Sequence, residues 1–223
     1  WFPGGAVSAG ALYLAYTNKW LDDPRIRPSE RQSASEQLRR VLETLAVELW
    51  RRDGQRIHHA DLFALIMRRA DLRGGIDPAN LDVELRTAAF LSRTAEGYYG
   101  FSHRSFLEFF FARAIHRALM LAPDGLAAVL DNTRLSSETA GFVGDLLDGE
   151  EILMAQQRVA ALLADGAAAP AARVNAYLLA YEVSLKPVRS IPAELASGFT
   201  ARMAAWLPTG GPYLADGDLA DLV

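Results

Sequence analysis

A stretch of sixteen residues near the middle of the chain constrains the fold more than any other feature. It covers residues 97–112 and reads GYYGFSHRSFLEFFFA. β-prone aromatic residues come first, a polar Ser-His pair follows, and a strongly apolar run begins immediately after it. The pattern predicts a short strand that leads directly into a buried helix. His103 is then expected at the amino-terminal end of that helix.

The sequence before this helix predicts a β-hairpin preceded by helices. The hairpin consists of residues 90–94 and 98–102, with Ala95-Glu96-Gly97 as the turn. Periodicity and capping signals predict helices at residues 6–21, from Ser33 to a stop at Gly54, at 60–69 and at 77–89, with a very short strand at Ile57–His58. Three helices followed by a hairpin is the order of a winged helix-turn-helix.

Apolar residues at helical spacing define the faces that these helices are expected to bury. In the first helix they are Leu12, Tyr13, Tyr16 and Trp20. In the second helix they are Leu38, Val41, Leu42, Leu45, Leu49 and Trp50. In the helix after His103 they are Phe106, Leu107, Phe110, Phe111, Ala114, Ile115 and Ala118. Opposite charges four positions apart predict surface ion pairs at Arg39–Glu43, Glu48–Arg52 and Arg104–Glu108.

Beyond Pro123 the chain is rich in alanine and predicts further helices with short connections. They lie near Gly125–Asp131, Ser137–Leu147, Glu150–Ala164, Ala169–Leu185 and Pro192–Trp206. Such helices pack as a bundle or in solenoid fashion, although no repeat is evident. The tail Leu214–Val223 repeats Leu-Ala-Asp after five residues.

The predicted fold class is therefore mainly α: a winged helix-turn-helix with a small β-hairpin, followed by an α-helical bundle or solenoid-like region. We expect residues 1–27 to end a preceding helical domain, and residues 28–121 to form the winged-helix domain. Residues 122–207 are expected to form a helical domain, with residues 208–223 as a tail. Because the chain begins at Trp1 rather than Met, we expect a piece of a longer polypeptide or a processed one.

Composition and charge exclude several classes. With 51% apolar residues the chain can bury a substantial core, and it has no cysteine for disulfides or a zinc–thiolate site. No apolar run approaches the roughly 20 residues that cross a bilayer, so we expect no membrane segment and a cytoplasmic location. Residues 1–120 hold 17 Lys and Arg against 14 Asp and Glu, whereas residues 121–223 hold 6 against 13. Nucleic acid is therefore not an expected partner, because duplex affinity needs clustered cations.

His103 is the candidate binding residue. Backbone N–H groups at a helix start have no partner within the helix, and together with the helix dipole they favour a phosphate there. An imidazole N–H in that position adds a phosphate donor. The alternative is a histidine that only caps its helix. A Ser105–Glu108 capping box would also move the helix start and leave His103 in the turn.

No catalytic residue and no metal ligand is predicted. The sequence has no G-x-x-x-x-G-K-[ST] phosphate loop and no strand ending in paired acids, so this segment alone is not expected to hydrolyse ATP. His58 and His59 have no acidic or thiol partner at metal spacing and are interpreted as surface residues. Ser102, Ser105 and His103 crowd one helix start without an orienting acid, which argues against a nucleophile–base pair.

The run Phe101-Ser-His-Arg-Ser-Phe-Leu-Glu-Phe-Phe-Phe-Ala112 resembles the F-x-H-x-x-F-x-E-[FY]-x-x-A signature in the winged-helix part of NACHT-type STAND NTPases. These are relatives of animal NOD-like receptors, with many bacterial members. Leu12-Tyr13-x-x-Tyr16-x-x-x-Trp20-Leu21 resembles the helix that closes the nucleotide-binding core in that family. Leu45-Ala46-x-x-Leu49-Trp50 followed by Arg56-Ile57 resembles the start of its winged helix. The resemblance covers roughly Leu12 to Leu119, about half of the chain.

The resemblance implies a function. In that family the histidine of the signature touches the β-phosphate of bound ADP and helps to hold the closed state, a role that falls here on His103. The implied cofactor is ADP or ATP, bound mainly by an upstream NACHT NTPase domain that this chain lacks, with Mg²⁺ implied for the full-length protein only. Implied partners are that domain, a carboxyl-terminal sensor and further copies in a homo-oligomer. The implied protein is a nucleotide-switched signalling ATPase, in bacteria one of antiphage defence.

Two other functions stay open at the level of residues. A winged-helix DNA-binding regulator would place the helix at residues 77–89 in the major groove, although Asp77, Asp82 and Glu84 accompany a single Arg86 there. A helical protein-interaction scaffold would leave His103 without a nucleotide role. The tail is interpreted as a frayed acidic end or, by resemblance to bacterial relatives, as the entry to a pentapeptide-repeat sensor.

Overall fold

The computed structural model describes residues 8–22, 35–69, 72, 78–88, 90–121 and 123–185. In these ranges the elements are α1 (Ala9–Asp22), α2 (Ser35–Arg51), β1 (Ile57–His58), α3 (His59–Arg68), α4 (Pro78–Thr87), β2 (Leu91–Arg93), β3 (Tyr98–Phe101), α5 (Arg104–Leu121), α6 (Pro123–Leu130), α7 (Ser137–Leu146), α8 (Gly149–Ala164) and α9 (Pro170–Leu185). The predicted helix at Pro192–Trp206, the tail Leu214–Val223, and the capping residues Ser33 and Asp77 lie outside the described residues.

The architecture is mainly helical, with one small antiparallel sheet. The strand order is β1-β3-β2, so that β3 is central: Ile57 pairs with Tyr99, and Leu91 pairs with Phe101. The predicted hairpin and the very short strand at its side are both confirmed. Gly97 closes the hairpin turn at a φ of +91°, which glycine adopts without steric cost.

Helix α2 buries the predicted apolar face. Its members are at most 5% exposed: Leu38, Val41, Leu42, Leu45, Leu49 and Trp50. The helix ends where the sequence indicates, because Gly54 takes a left-handed φ of +76° and its N–H donates to Leu49 O at 2.8 Å. The turn after Gly54 then leads into β1.

The ion pairs of α2 match the prediction only in part. Glu48 and Arg52 pair with 2.8 Å between Oε1 and Nε. Arg39 and Glu43 do not pair: Arg39 instead bonds Asp22 at the end of α1, at 2.8 Å, and Glu43 faces two arginines of α5. Spacing along one helix cannot reveal such partners, since they come from other helices.

Helix α1 buries only part of the predicted face. Trp20 is 7% exposed and Tyr13 is half-buried, as the spacing indicates, but Leu12 and Tyr16 are 55% and 46% exposed. The buried positions are Gly10, Thr17, Trp20 and Leu21. Two apolar side chains of α1 are thus left at the surface.

Helix α5 is the centre of the molecule and packs against α1, α2, α6, α7 and α8. The predicted face is buried apart from Phe106, which is half-buried. Glu108, Phe109, Ala112 and Leu119 are buried outside that face. Helix α5 has neighbours on several sides and buries apolar residues beyond a single stripe, which is why the face predicted from periodicity is too narrow.

Helices α6 to α9 form close to the predicted positions. Helices α6, α7 and α8 each contact both α5 and α9. Asn175 of α9 fixes the loop between α6 and α7, because its side chain accepts from Leu135 N–H at 2.9 Å and donates to Leu130 O at 2.9 Å. One continuous hydrophobic core extends from Trp20 of α1 to Val183 of α9.

Candidate functional site

His103 lies where the sheet passes into α5. Strand β3 ends two residues before it, and α5 begins with Arg104. The carbonyl of His103 accepts from Phe106 N–H at 3.1 Å, which makes His103 the N-cap residue. The alternative register with a Ser105–Glu108 capping box is wrong, because Ser105 is already the second residue of the helix. The His103 side chain is exposed.

The imidazole of His103 caps α5 through Nδ1. Ser105 N–H donates to this nitrogen at 3.2 Å, and Ser105 Oγ lies 2.6 Å from it. The hydroxyl of Tyr13, on α1, donates to Ser105 Oγ at 2.6 Å. The geometry of a capping histidine is therefore present, and it is supported from behind by a second helix.

These contacts assign the proton of the neutral ring to one nitrogen. Because Nδ1 of His103 accepts from Ser105 N–H, it carries no proton itself. The Tyr13 hydroxyl donates to Ser105 Oγ, and the Ser105 hydroxyl in turn donates to Nδ1. The three groups thus form one chain of hydrogen bonds that ends at Nδ1. Nε2 then carries the N–H, and among the described residues it has no hydrogen-bond partner. Capping uses one ring nitrogen and leaves the other available to a ligand.

The six fixed positions of the signature quoted above differ in exposure. Five of them pack in the interior or at its edge: Phe101, Phe106, Glu108, Phe109 and Ala112. His103 is exposed. Packing therefore accounts for five of the six residue types, whereas it gives no reason for an imidazole at the sixth.

Aromatic packing holds the Tyr13 ring behind His103. Its centroid lies 5.3 Å from that of Phe106, 5.6 Å from that of Phe109 and 5.2 Å from that of Phe142. Phe142 belongs to α7, so three helices meet at this ring. The tyrosine hydroxyl is consequently held in place on the Ser105 side.

Gly10 fixes the start of α1 against α7. Its N–H donates to Asp145 Oδ2 at 2.9 Å, and a Cβ built on Gly10 would lie 2.5 Å from Asp145 Cβ. Only glycine permits this approach without displacement of one helix. The contact also explains which face of α1 is buried, since it turns Gly10 inward and leaves Leu12 outside.

An apolar patch lies beside His103. Leu12 and Tyr16, one helical turn apart on α1, are the exposed residues that the periodicity of α1 predicts to be buried. The Tyr16 ring centroid is 5.9 Å from that of Phe106, in the first turn of α5. The exposed Tyr16 ring therefore reaches the first turn of the helix that follows His103.

The other three histidines are half-buried. His58 caps α3, with 3.4 Å from its Nδ1 to Ala60 N, and its ring centroid is 4.2 Å from that of His59. The interpretation of this pair as surface residues is therefore wrong in degree, because the two rings pack on each other. His116 Nε2 lies 3.1 Å from Glu151 Oε2, between α5 and α8.

Arg104 faces away from the imidazole. The predicted pair with Glu108 forms, with 3.1 Å from Nε to Oε1, and the guanidinium lies 5.9 Å from the Trp50 ring centroid. Glu108 is 5% exposed and also accepts from Ser136 Oγ at 3.0 Å. The Arg104 side chain is 72% exposed, so the pair reaches the surface as predicted, although its partner Glu108 is buried.

The arrangement around His103 is suited to binding. Ser105 Oγ is close to Nδ1, yet no carboxylate of a described residue bonds the ring. No group of three or more His, Asp and Glu side chains in the described ranges is placed to hold a metal ion. An N–H donor at a helix start is a contact for an oxyanion such as phosphate. None of the described helices combines the length and apolarity needed to span a bilayer.

The roles of Ser105 and Tyr13 are the part of the site that sequence reasoning missed. The two residues are 92 positions apart, and their hydrogen bond joins the first helix to the fifth. Periodicity within each helix identifies Tyr13 only as a core residue. No signal in the sequence indicates which hydroxyl it meets.

Comparison with known proteins leaves function to be inferred from residues and geometry. No protein-family model matches the sequence, and neither a curated protein nor a solved structure is significantly similar to it.

Proposed function

We propose that this chain is the regulatory segment of a nucleotide-switched signalling ATPase of the NACHT/STAND kind. Its role is to hold an ADP-bound closed state and to release on activation, so that the protein can oligomerise. The observation that carries the proposal is the exposed Nε2–H of His103, oriented at a helix start by Ser105. Such a donor is suited to the terminal phosphate of ADP held by a neighbouring domain.

The order of elements supports a winged helix-turn-helix as the scaffold. Helices α2, α3 and α4 precede the hairpin β2–β3, and the short strand β1 joins β3 on its other side. In this scaffold the hairpin delivers His103, because the last strand ends two residues before it. The wing and the switch residue are then parts of one rigid unit.

The exposed face of α1 supports a domain packed in front of this segment. Leu12 and Tyr16 are apolar and exposed one helical turn apart on α1, and the Tyr16 ring is adjacent to Phe106 in the first turn of α5. A preceding NTPase domain that covered them would bring its nucleotide within reach of His103. Exposed apolar side chains beside a polar site are typical of an interface.

The expected energy of the contact is sufficient for a switch. A hydrogen bond from a neutral donor to a charged phosphate contributes about 1.5–3 kcal/mol. If the contact exists only in the closed state, that state gains about 10- to 150-fold in population when ADP is bound. Activation would then require only that the nucleotide no longer binds the closed state more tightly than the open state.

A DNA-reading role has weaker support. Arg86 is the basic residue of α4, and its guanidinium is bound to Asp82 on the same helix. Val83, an apolar residue, is 51% exposed on that helix. A helix that enters the major groove needs free cations and base-reading polar groups instead.

The test uses the longer polypeptide that carries the upstream NTPase domain. The variant His103→Ala removes the Nε2–H donor, so the dissociation constant for ADP is expected to rise about 10- to 150-fold. Activity in the absence of a trigger is expected to rise as well. Nucleotide retention after gel filtration and equilibrium titration with ADP measure the first effect.

His58→Ala is the matched control, because His58 also caps a helix through Nδ1. Each variant is expected to lose about 1 kcal/mol of folding stability through its lost cap. Only His103→Ala should weaken ADP binding. Unchanged ADP affinity together with unchanged basal activity in a folded His103→Ala protein would refute the proposed role.

A further inference from the structure

A second site lies about 20 Å along α5 from His103, at a rise of about 1.5 Å per residue. A cavity of about 430 Å³ opens between α2, α5 and α6, and we call it the arginine groove. Its lining includes four arginines among the described residues: Arg40, Arg51, Arg69 and Arg117. The volume lies within the range of roughly 300–1,000 Å³ that is common for ligand sites.

The negative charge in the arginine groove is already compensated. Glu43 is 3% exposed, and its two carboxylate oxygens lie 3.1 Å from Arg113 Nε and 2.8 Å from Arg117 Nη2. Burial raises the pKa of Glu43, and the charges of Arg117 and Arg113 oppose that rise. Glu43 therefore pairs with Arg113 and with the groove residue Arg117, so the charge of Arg117 is already balanced within the fold.

Two arginines on α2, Arg40 and Arg51, have no carboxylate of a described residue within hydrogen-bond distance. Arg51 donates to a neutral acceptor, Ala128 O, at 3.1 Å. The contact of Arg40 with the exposed Glu36 is long, at 3.6 Å. Guanidinium groups of this kind bind carboxylates through paired N–H donors. The rim of the groove thus retains capacity for acidic groups.

Apart from Thr44, the side chains that complete the lining are apolar. They are mainly aliphatic side chains from the three helices: Val47, Ala114, Ala118, Leu121, Ala128 and Val129. Leu121 is 73% exposed, which is high for a leucine beside a cavity. A matching occupant would combine carboxylates for the arginines with aliphatic side chains for this surface.

We propose that the arginine groove binds the acidic segment Leu214–Val223 of the same chain. This segment reads LADGDLADLV, so it holds three aspartates and three leucines within ten residues. Its aspartates would meet the arginine rim, and its leucines would cover the aliphatic surface. The contact is independent of any nucleotide role of His103. It would tie the acidic end of the chain to α2 and α5, the helices at the centre of the fold.

The length of the chain permits this contact. Leu214 follows the last residue of α9, Leu185, by 29 positions, a span of up to about 100 Å. Helix α9 packs against α6, which contributes part of the groove lining. Because segment and groove are covalently linked, the effective concentration is in the millimolar range, and a weak contact suffices.

Cross-linking in the 223-residue chain tests the proposal directly, since its sequence has no cysteine. Leu121→Cys with Gly217→Cys places one thiol at the groove rim and one in the acidic segment. Tyr181→Cys with Gly217→Cys is the matched control, because Tyr181 is also exposed (59%) and is nearer in sequence. Loop-closure entropy alone would favour the Tyr181 pair about fourfold. If the segment is docked, the Leu121 pair should instead cross-link faster than the Tyr181 pair, by fivefold or more at low salt.

Charge reversal distinguishes docking from proximity. Arg40→Glu with Arg51→Glu should abolish the preference for the Leu121 pair, and adding Asp216→Arg with Asp218→Arg should restore it. Arg134→Glu, a reversal at an exposed arginine outside the groove, should leave it unchanged. Faster cross-linking of the Tyr181 pair in the native background would overturn the proposal. So would insensitivity to groove charge, or Leu121 cross-links that form only between two copies of the chain.

Discussion

His58 and His103 begin their helices in the same way, yet only His103 is suited to a ligand. Nδ1 of His58 accepts from Ala60 N–H at 3.4 Å, and Nδ1 of His103 accepts from Ser105 N–H at 3.2 Å. Each histidine also lies at or just after the end of a strand. In cap geometry, the two positions are nearly equivalent.

His58 and His103 differ in their surroundings. The ring centroid of His58 is 4.2 Å from that of His59 and 5.2 Å from that of Tyr98, and the residue is half-buried. His103 is exposed, and two hydroxyl groups continue in series behind its Nδ1. Capping therefore does not mark a binding histidine. The exposure of the second nitrogen and the support behind the first are what distinguish His103.

The largest expected loss of folding stability comes from Gly97→Ala, a change beside His59, whose ring packs on that of His58. In Gly97→Ala the new Cβ would lie 2.6 Å from His59 Nδ1, in a backbone held at a φ of +91°. We expect a loss of about 2–3 kcal/mol in the free energy of unfolding, from strain and from displacement of the ring. Urea denaturation measures it. ADP binding by the longer polypeptide should be unaffected, because the His103 side keeps its contacts.

Gly141→Ala is the matched control for this variant. A Cβ at Gly141 meets no atom within 4 Å, and the residue lies within α7. Alanine is expected there to stabilise the helix by a few tenths to about 1 kcal/mol. If both alanine variants were equally stable, the close packing around His59 would not constrain the hairpin turn as described.

A smaller loss in the free energy of unfolding is expected for Tyr99→Phe. Tyr99 lies in β3, the strand that pairs with Ile57 and His58 of β1. The buried Tyr99 hydroxyl donates to Asp82 Oδ1 at 2.7 Å, and burial together with this bond raises the pKa of Tyr99 to about 12. Burial of Asp82 would raise its own pKa, but the bond from Tyr99 and the charge of Arg86 outweigh it and lower the pKa. The variant should lose about 1.5–2 kcal/mol at pH 7.

The sign of the pH dependence follows from Asp82. A carboxyl whose folded pKa is lowered contributes stability above its unfolded pKa of about 3.9, and this is lost as the pH falls through the lower folded value. The difference in the free energy of unfolding between wild type and Tyr99→Phe should therefore shrink as the pH falls from about 5 to about 2, the range in which Asp82 becomes protonated. Urea curves at several pH values measure it. A difference that stayed constant or grew in acid would show that Asp82 is not the partner that matters.

The smallest losses of stability and of ADP affinity are expected for Ser105→Ala. This variant leaves His103 with a backbone cap alone, as His58 has. The variant removes the hydroxyl at 2.6 Å from Nδ1 but keeps the backbone cap. We expect a stability loss of about 0.5–1 kcal/mol and an ADP affinity lowered about two- to fivefold, because the ring is less firmly oriented. Ser184→Ala, at a half-buried serine of α9 whose hydroxyl bonds only within its own helix, should change ADP affinity not at all and stability little. An effect as large as that of His103→Ala would mean that Ser105 itself contacts the ligand.

Much of the secondary structure is readable from local sequence. The apolar face of α2, the glycine that ends it and the turn of the hairpin all depend on residues within a few positions, and all three are confirmed. His103 is placed at a helix start for the same reason. These features are set by backbone geometry and by burial of a single face.

Features that depend on distant partners are not readable in this way. The buried face of α1 is decided by the contact of Gly10 with Asp145, 135 positions away. Glu43 leaves its predicted partner because α5 offers two arginines to a buried carboxylate. The orientation of the His103 ring depends on Tyr13 in the same manner. Long-range contacts carry no periodic signal, so only the folded chain reveals them.

The central claim is that Nε2–H of His103 donates to the terminal phosphate of ADP, and a comparison of two nucleotides tests it most directly. ADP and AMP would be titrated into the longer polypeptide, as wild type and as His103→Ala. ADP carries the phosphate that the donor would contact, and AMP lacks it. We predict that the variant weakens ADP by about 10- to 150-fold and AMP by less than about twofold. An equal loss for both nucleotides, or no loss for either, would contradict the account.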